Sequence, residues 1–496
     1  MKLRIPVPRW ITAYGTRFMP FADAASPELP MARLLRLSLF QVVIGMVTAL
    51  LVGTLNRVMI VELQVPAWWV ALAVAIPMVF APLRTLIGYR SDTHPSALGL
   101  RRIPYMWTGT LLLFGGLSIM PFALLLLSEP EAANLWVGQV GACLAFVLVG
   151  TGIQVTQTAG MALAHDLATD DKRPRVVALL YSMLLVGMIV SSAVFGWLLT
   201  DFSPQKLIQL VQGCAVVVAV MNLAALWKQE ARGSKRGRRE AGGFASSWRE
   251  LMAQPQMRRF LWTLAIGNFA FNMQDIVLEP YAAEILKLDV GMTSALTALS
   301  AGGALLAFIL SAHWLSGGMH ACRLASLGVL LGLPAFAMVI FSGPLEAAWM
   351  FRIGVGLIGF SGGLFSVGML VTAMGMAQEG SPLGQLGGLV IGTWGAVQAT
   401  SAGAAMALGG ALRDGVSVLA MSGALGEVLV TPITAYSFVY HLEMYLLFVV
   451  LVALGPMLRA SRLAARAEAL STVLSSAVTA CRLGWRAKAK SAKVWS

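Results

Sequence analysis

Twelve long stretches of this chain carry little or no charge, and that feature constrains its fold more than any other. Ten stretches contain no Asp, Glu, Lys or Arg: Leu37 to Asn56, Leu63 to Leu83, Ile103 to Ser128, Ala132 to Ala164, Val176 to Thr200, Leu207 to Trp227, Val290 to Cys322, Leu324 to Leu345, Ile353 to Gln378 and Gly380 to Leu412. Two more, Phe260 to Leu286 and Ile433 to Leu458, are interrupted by internal acids. Each stretch is near or above the roughly 20 apolar residues a helix needs to cross the hydrocarbon of a bilayer. Lipid offers no hydrogen bonds to a bare backbone, so the expectation is an all-α membrane protein of twelve transmembrane helices. Composition agrees: 58% of residues are hydrophobic and only 12% charged, with a mean hydropathy of +0.76, whereas soluble domains carry roughly 25% charged residues.

The net charge of +13 would suit a nucleic-acid partner if it were spread over one surface. It is not, because Lys and Arg collect on alternate loops. The two termini and the loops after even-numbered spans hold 31 of the 36 basic residues, the opposite loops hold 4, and Arg57 lies inside the first span. Such asymmetry orients a polytopic protein with both termini in the cytoplasm and leaves nucleic acid without a role. The N-terminal stretch shows no short apolar region with a cleavage site and is expected to stay attached. A basic linker, residues 228–259, separates two six-span halves at 37–227 and 260–458, the organisation of the major facilitator fold. Residues 1–36 form a basic N-terminal segment. Residues 459–496 form a basic tail with an apolar stripe that suits an anionic lipid surface. Cys143, Cys214, Cys322 and Cys481 form no CxxC pair and read as isolated thiols.

Polar groups inside spans are costly and therefore informative. Arg57 and Glu62 lie five residues apart at the end of span one, as an interfacial ion pair or as part of a cavity. Asp275 and Glu279 in FNMQDIVLEPY are one turn apart and are expected on one face, just before Pro280. They suit proton coupling, polar contact between helices, or capping of the break at Pro280. Five histidines are present. His313 in span eight and His441 in span twelve, two residues before Glu443, are expected to lie deepest, and His165 ends span four. His94 and His320 fall in inner loops. For each, a satisfied polar contact competes with a ligand role, and no pair has the spacing of a metal cluster. No nucleophile elbow, phosphate loop or metalloprotease helix is present, so nothing points to an enzyme.

Several blocks in order, NRVMIVEL, FAPLRTLIGYRSDTHPSALGLRRIPYMWTG, MQDIVLEPY, GTWGAVQATSAGAAMALGGALRD and YSFVYHLEMYLLF, resemble the bacteriochlorophyll delivery family of the major facilitator superfamily. The matching positions are Arg57, Glu62, Arg84, Asp92, Asp275, Glu279, Trp394, Gln398, Asp414, His441 and Glu443, with Arg101 and Arg102 in the same inner-loop motif. The chain departs from the family pattern at Tyr89, Ala282 and Ala283. The resemblance implies a non-enzymatic factor in the inner membrane of a phototrophic bacterium that helps assemble light-harvesting antenna, the core complex favoured over the peripheral one. Its partners would be antenna polypeptides, bacteriochlorophyll or its synthase, and membrane lipids. Bacteriochlorophyll would be cargo or bound pigment, with His441, His313 and His165 as candidate ligands. A proton-coupled transporter of a small molecule or tetrapyrrole, and a scaffold without pigment, are the alternatives.

Overall fold

A computed structural model describes residues 29–79, 100, 102–128, 135–169, 173–201, 203–229, 244–377 and 387–459. Among the described residues the regular structure is entirely helical. The first helix, α1, runs from Met31 to Thr48 and continues without a break through π-helical turns at Ala49–Leu55 and Val58–Glu62. Then come α2 (Ala67–Val79), α3 (Ile103–Ser128), α4 (Leu135–Leu167), α5 (Arg173–Leu198) and α6 (Pro204–Leu226), which complete the first half. A short linker helix, α7 (Phe244–Ala253), precedes the second half. That half holds α8 (Pro255–Asn272), a 3-10 turn (Met273–Ile276), α9 (Leu278–Glu284), α10 (Val290–Ser316), α11 (Ala321–Ser342), α12 (Ala348–Ala377) and α13 (Gly387–Met421), and closes with α14 (Pro432–Arg459).

Ten of these helices are long and apolar enough to cross a membrane. The other two expected spans correspond to α2, described as far as Val79, and to the broken α8–α9 element. Charge-free runs underestimate the helices. The first run stops at Asn56, yet α1 carries Arg57 and continues to Glu62. The eleventh stops at Leu412, yet α13 passes through Arg413 and Asp414 to Met421. In both cases the charged side chain finds a partner within the protein, so the helix need not end where the charge begins.

We call the face where α1 begins proximal and the face where it ends distal. Within the halves, α3 packs on α4, α1 on α5, and α12 on both α10 and α11. Between the halves, α5 packs on α10 and α2 on α13. Helices in lipid associate by close packing, so small residues mark these seams. At the seam of the halves, a Cβ on Gly196 of α5 would lie 2.9 Å from the Gly291 carbonyl oxygen of α10, and the reverse substitution meets the Gly196 oxygen at the same distance. A side chain on either residue would push the halves apart. Several caps are local: Asp289 accepts from the Met292 amide at 2.6 Å to start α10, and Ser203 does the same for α6. His320 caps α11 through Nδ1, which accepts from the Cys322 amide. This loop histidine thus has a structural task.

Candidate functional site

Span seven breaks for a reason visible in its residues. Pro280 has no amide hydrogen, and its ring excludes a helical bond to the carbonyl of Ile276, four residues earlier. The chain passes from α8 through the 3-10 turn into α9 at this point. Asn56 of α1 repairs the loss by donating through Nδ2 to the Ile276 oxygen at 3.0 Å. A side chain of the first half therefore satisfies the backbone of the second.

The break also separates the two acids expected on one face. Asp275 lies in the 3-10 turn, where its Oδ1 accepts from Gln274 Nε2 at 2.7 Å, and its electrostatic neighbour is Glu443 of α14. Glu279 lies in α9, accepts from the Thr297 hydroxyl of α10, and faces Arg57 of α1. Its carboxylate occupies the place where a side chain on Gly53 would sit. Thus the acids address different helices, because a 3-10 turn does not keep the α-helical register.

Arg57 is buried and donates through a terminal nitrogen to Glu62 Oε1 at 2.9 Å, while Glu62 stays partly exposed. The five-residue spacing suits the π-helical turn in which Glu62 lies, since π-helix bonds join residues five apart. Arg57 is thereby bonded to Glu62 on its own helix and attracts Glu279 electrostatically across the seam of the halves.

Closer to the distal face lies a second polar cluster. Arg413 of α13 contacts both oxygens of Glu284 at 2.9 and 2.8 Å, Asp414 Oδ1 at 2.7 Å and the Tyr436 hydroxyl at 3.0 Å. Its guanidinium also lies 5.0 Å from the Tyr436 ring centroid. The Tyr436 hydroxyl donates to Glu284 Oε2 at 2.8 Å, and the Trp68 amide of α2 donates to Asp414 Oδ2 at 2.8 Å. Spans seven, eleven and twelve are thus tied together and joined to the first half.

Helix α14 has two unlike faces. Tyr436, Val439, Tyr440, Glu443, Leu447, Val450 and Leu454 are buried. On the other side Phe438, His441, Tyr445, Phe448 and Val452 are exposed, at spacings of three and four that make one continuous stripe. His441 Nδ1 lies 2.6 Å from the Ser437 carbonyl oxygen. A carbonyl can only accept, so Nδ1 carries the hydrogen, which in the neutral ring leaves the lone pair on Nε2.

The remaining sequence-predicted positions do not converge. His313 is exposed in the last turn of α10, near the end of its span, while His441 is exposed well inside its span, Pro432–Arg459. The His165 side chain, Arg84, Asp92, Arg101, His94 and Tyr89 lie outside the described residues. Arg102 is buried and donates through Nε to Asp166 Oδ2 at 3.1 Å, tying the start of α3 to the end of α4. Trp394 is buried, Gln398 half-buried, and Ala282 and Ala283 are buried in α9. Contributors not singled out from sequence include Asn56, Glu284 and Arg413. Arg413 was visible as the charge closing the eleventh apolar run, followed at once by Asp414. Asn56 and Glu284 gave no signal beyond their neighbours.

Two helical halves, packed along α2–α13 and α5–α10 and tied by polar contacts to a broken seventh span, define a multi-pass membrane protein of the major facilitator type. A crystal structure of a mutant of the nucleoside transporter NupG shares the fold, with a TM-score of 0.61 at 14% identity over 86% of this chain and 99% of that one. Within that class the chain belongs to the family described as PUCC protein, whose pattern matches residues 54–462. It is 50% identical to Protein PucC of Rhodovulum sulfidophilum over 416 residues, 82% of this chain and 90% of that protein. It is 46% identical to Protein PucC of Rhodobacter capsulatus over 458 residues, 90% and 97% of the two chains.

Proposed function

We propose that this protein is a non-enzymatic assembly factor for light-harvesting antenna, which holds bacteriochlorophyll at the membrane-facing side of α14 and passes it to antenna polypeptides within the inner membrane. The single observation that carries the reading is the exposed stripe around His441. A magnesium tetrapyrrole needs an axial ligand and a flat apolar surface. His441 offers Nε2, with its tautomer fixed by Ser437 as is usual for ligating histidines. Phe438, Tyr445 and Phe448 offer aromatic surface one and two turns away on the same face. The distribution of Lys and Arg supports placing the proximal face and both termini in the cytoplasm. Cargo then moves laterally along the bilayer, where an insoluble pigment stays sheltered from water. The core antenna complex is the favoured recipient, on the family resemblance.

The test is to purify the full chain from phototrophic membranes and compare pigment content by absorption spectroscopy. Wild-type protein is expected to retain tetrapyrrole and His441→Ala to lose most of it, with His313→Ala unchanged. A pigment-free wild type, or equal pigment in His441→Ala, overturns the proposal. A carrier of small molecules is the second reading, favoured by the charge attraction between Arg57 and Glu279 across the seam. It requires that neutralising Glu279 abolish substrate uptake into proteoliposomes.

A further inference from the structure

The loop between α13 and α14 serves neither the pigment surface nor the polar clusters. All twelve residues from Met421 to Pro432 are exposed. Val428 reaches 91%, and Val418, Met421, Leu425, Leu429 and Val430 are exposed with it. The loop is shaped by its own bonds. The Gly426 amide donates to the Gly423 carbonyl at 3.0 Å, the Leu429 amide to the Gly426 carbonyl at 3.0 Å, and the Thr434 hydroxyl to the Leu429 carbonyl at 2.9 Å. Gly423 and Gly426 turn the chain at φ of 76° and 98°, a region open to glycine. Glu427 is the only charge from Gly415 to Pro432, so the exposure does not serve a polar sequence.

Helix α14 sets the depth of this loop. Tyr436 meets Arg413 and Glu284 in the distal cluster, and 23 residues later the helix ends at Arg459, a rise of about 35 Å. The hydrocarbon core is about 30 Å thick, so these two charged levels lie at its edges. Helix α13 runs on from Arg413 to Met421, a further rise of about 12 Å, past a headgroup layer of roughly 5–8 Å. Acyl chains do not reach the loop at that height. Anionic headgroups find no cation on it, because no Lys or Arg lies between Arg413 and Arg459. A contiguous apolar surface standing in water marks a protein contact. Phe438, which opens the exposed stripe of α14, follows Tyr436 by two residues, so stripe and loop adjoin at the distal edge. We propose that the loop docks the distal end of a single-span polypeptide whose helix lies along the stripe, an end that is apolar and, beside Glu427, neutral or basic. This rests on the pigment-handover reading, in which that polypeptide is the antenna subunit.

The full chain in lipid nanodiscs, mixed with purified pigment-free antenna polypeptide, tests the surface by photo-crosslinking. The crosslinking residue p-benzoylphenylalanine replaces Val428 in one sample and Trp197, 77% exposed at the distal end of α5, in the control. The expected result is an adduct with the mass of chain plus polypeptide from position 428 and none from position 197. Combining Leu425→Ser, Val428→Ser and Leu429→Ser should weaken polypeptide binding by at least about tenfold, with the unfolding midpoint unchanged because these side chains are exposed. Adducts from position 428 to lipid alone or to a second copy of the chain overturn the proposal. Equal adducts from both positions, no adduct, or unchanged binding in the triple variant overturn it as well. Pigment content read on protein from phototrophic membranes separates the two readings. A pigment-free wild type that still docks the polypeptide through position 428 upholds the docking surface while the pigment reading falls. A pigmented wild type that gives no adduct overturns the docking surface alone.

Discussion

Replacing Arg413 by Met tests the distal cluster directly, because one guanidinium serves three helices there. At the 2.8 Å separation from Glu284, an effective dielectric constant of about 20 gives an attraction of about 6 kcal/mol. Withdrawing both ions from water cancels much of that gain, so the pair contributes little relative to an apolar replacement of both partners. Truncating one partner is different. The side chains of Glu284 and Asp414 are only 27% and 18% exposed, and both would remain charged with no cation between them. The expected loss for Arg413→Met is about 3 kcal/mol, the lower end of the range for breaking a buried pair, because these acids keep some contact with solvent. That is a change of roughly 100-fold in the unfolding equilibrium, measurable by reversible detergent-induced unfolding in mixed micelles. Adding Glu284→Gln should recover about 2 kcal/mol relative to the sum of the single variants, since the stranded charge is then gone. An Arg413→Met variant within about 0.5 kcal/mol of wild type, or strict additivity in the double variant, would refute the assignment.

Two further outcomes follow from the packing. Asn56→Ala leaves the Ile276 carbonyl freed by Pro280 without a donor and should cost about 1–2 kcal/mol in the same unfolding assay; a neutral result would mean that another donor, such as water, reaches the break. Gly267→Ala sets a Cβ into the buried Phe365 ring and should cost about 1–3 kcal/mol, with most of the loss recovered by Phe365→Leu; no recovery would place the strain elsewhere.

The membrane fold was legible in the sequence because apolar runs and basic loops report directly on the bilayer. Helix ends were less so: Arg57 and Arg413 look like stops in a hydropathy count and are tolerated only because Glu62, Glu279, Glu284 and Asp414 lie beside them in three dimensions. The expected pairing of Asp275 with Glu279 assumed an unbroken helix. Pro280 was read as a break, yet its effect on register, which turns one acid toward α14 and the other toward α1 and α10, depends on the 3-10 turn and on Asn56. Arg413 meets Glu284 across 129 residues of chain, and no local pattern encodes that meeting. The orientation of His441 was equally hidden, since periodicity distinguishes faces only when one face is polar and every face of α14 is largely apolar.

His441 and Glu443 stand two positions apart on α14, hence about 200° around it. One points to the membrane and the other to span seven. The packed face is fixed by Tyr436, which Glu284 and Arg413 hold, and the exposed face carries Phe438, His441, Tyr445 and Phe448. A substitution on the exposed stripe therefore leaves the contacts that hold α14 in the bundle untouched, so His441→Ala is expected to unfold at the same detergent concentration as the wild type, whereas Tyr436→Phe loses two buried hydrogen bonds and should unfold earlier. Equal loss in both variants would refute the division of α14 into a packed face and a free one.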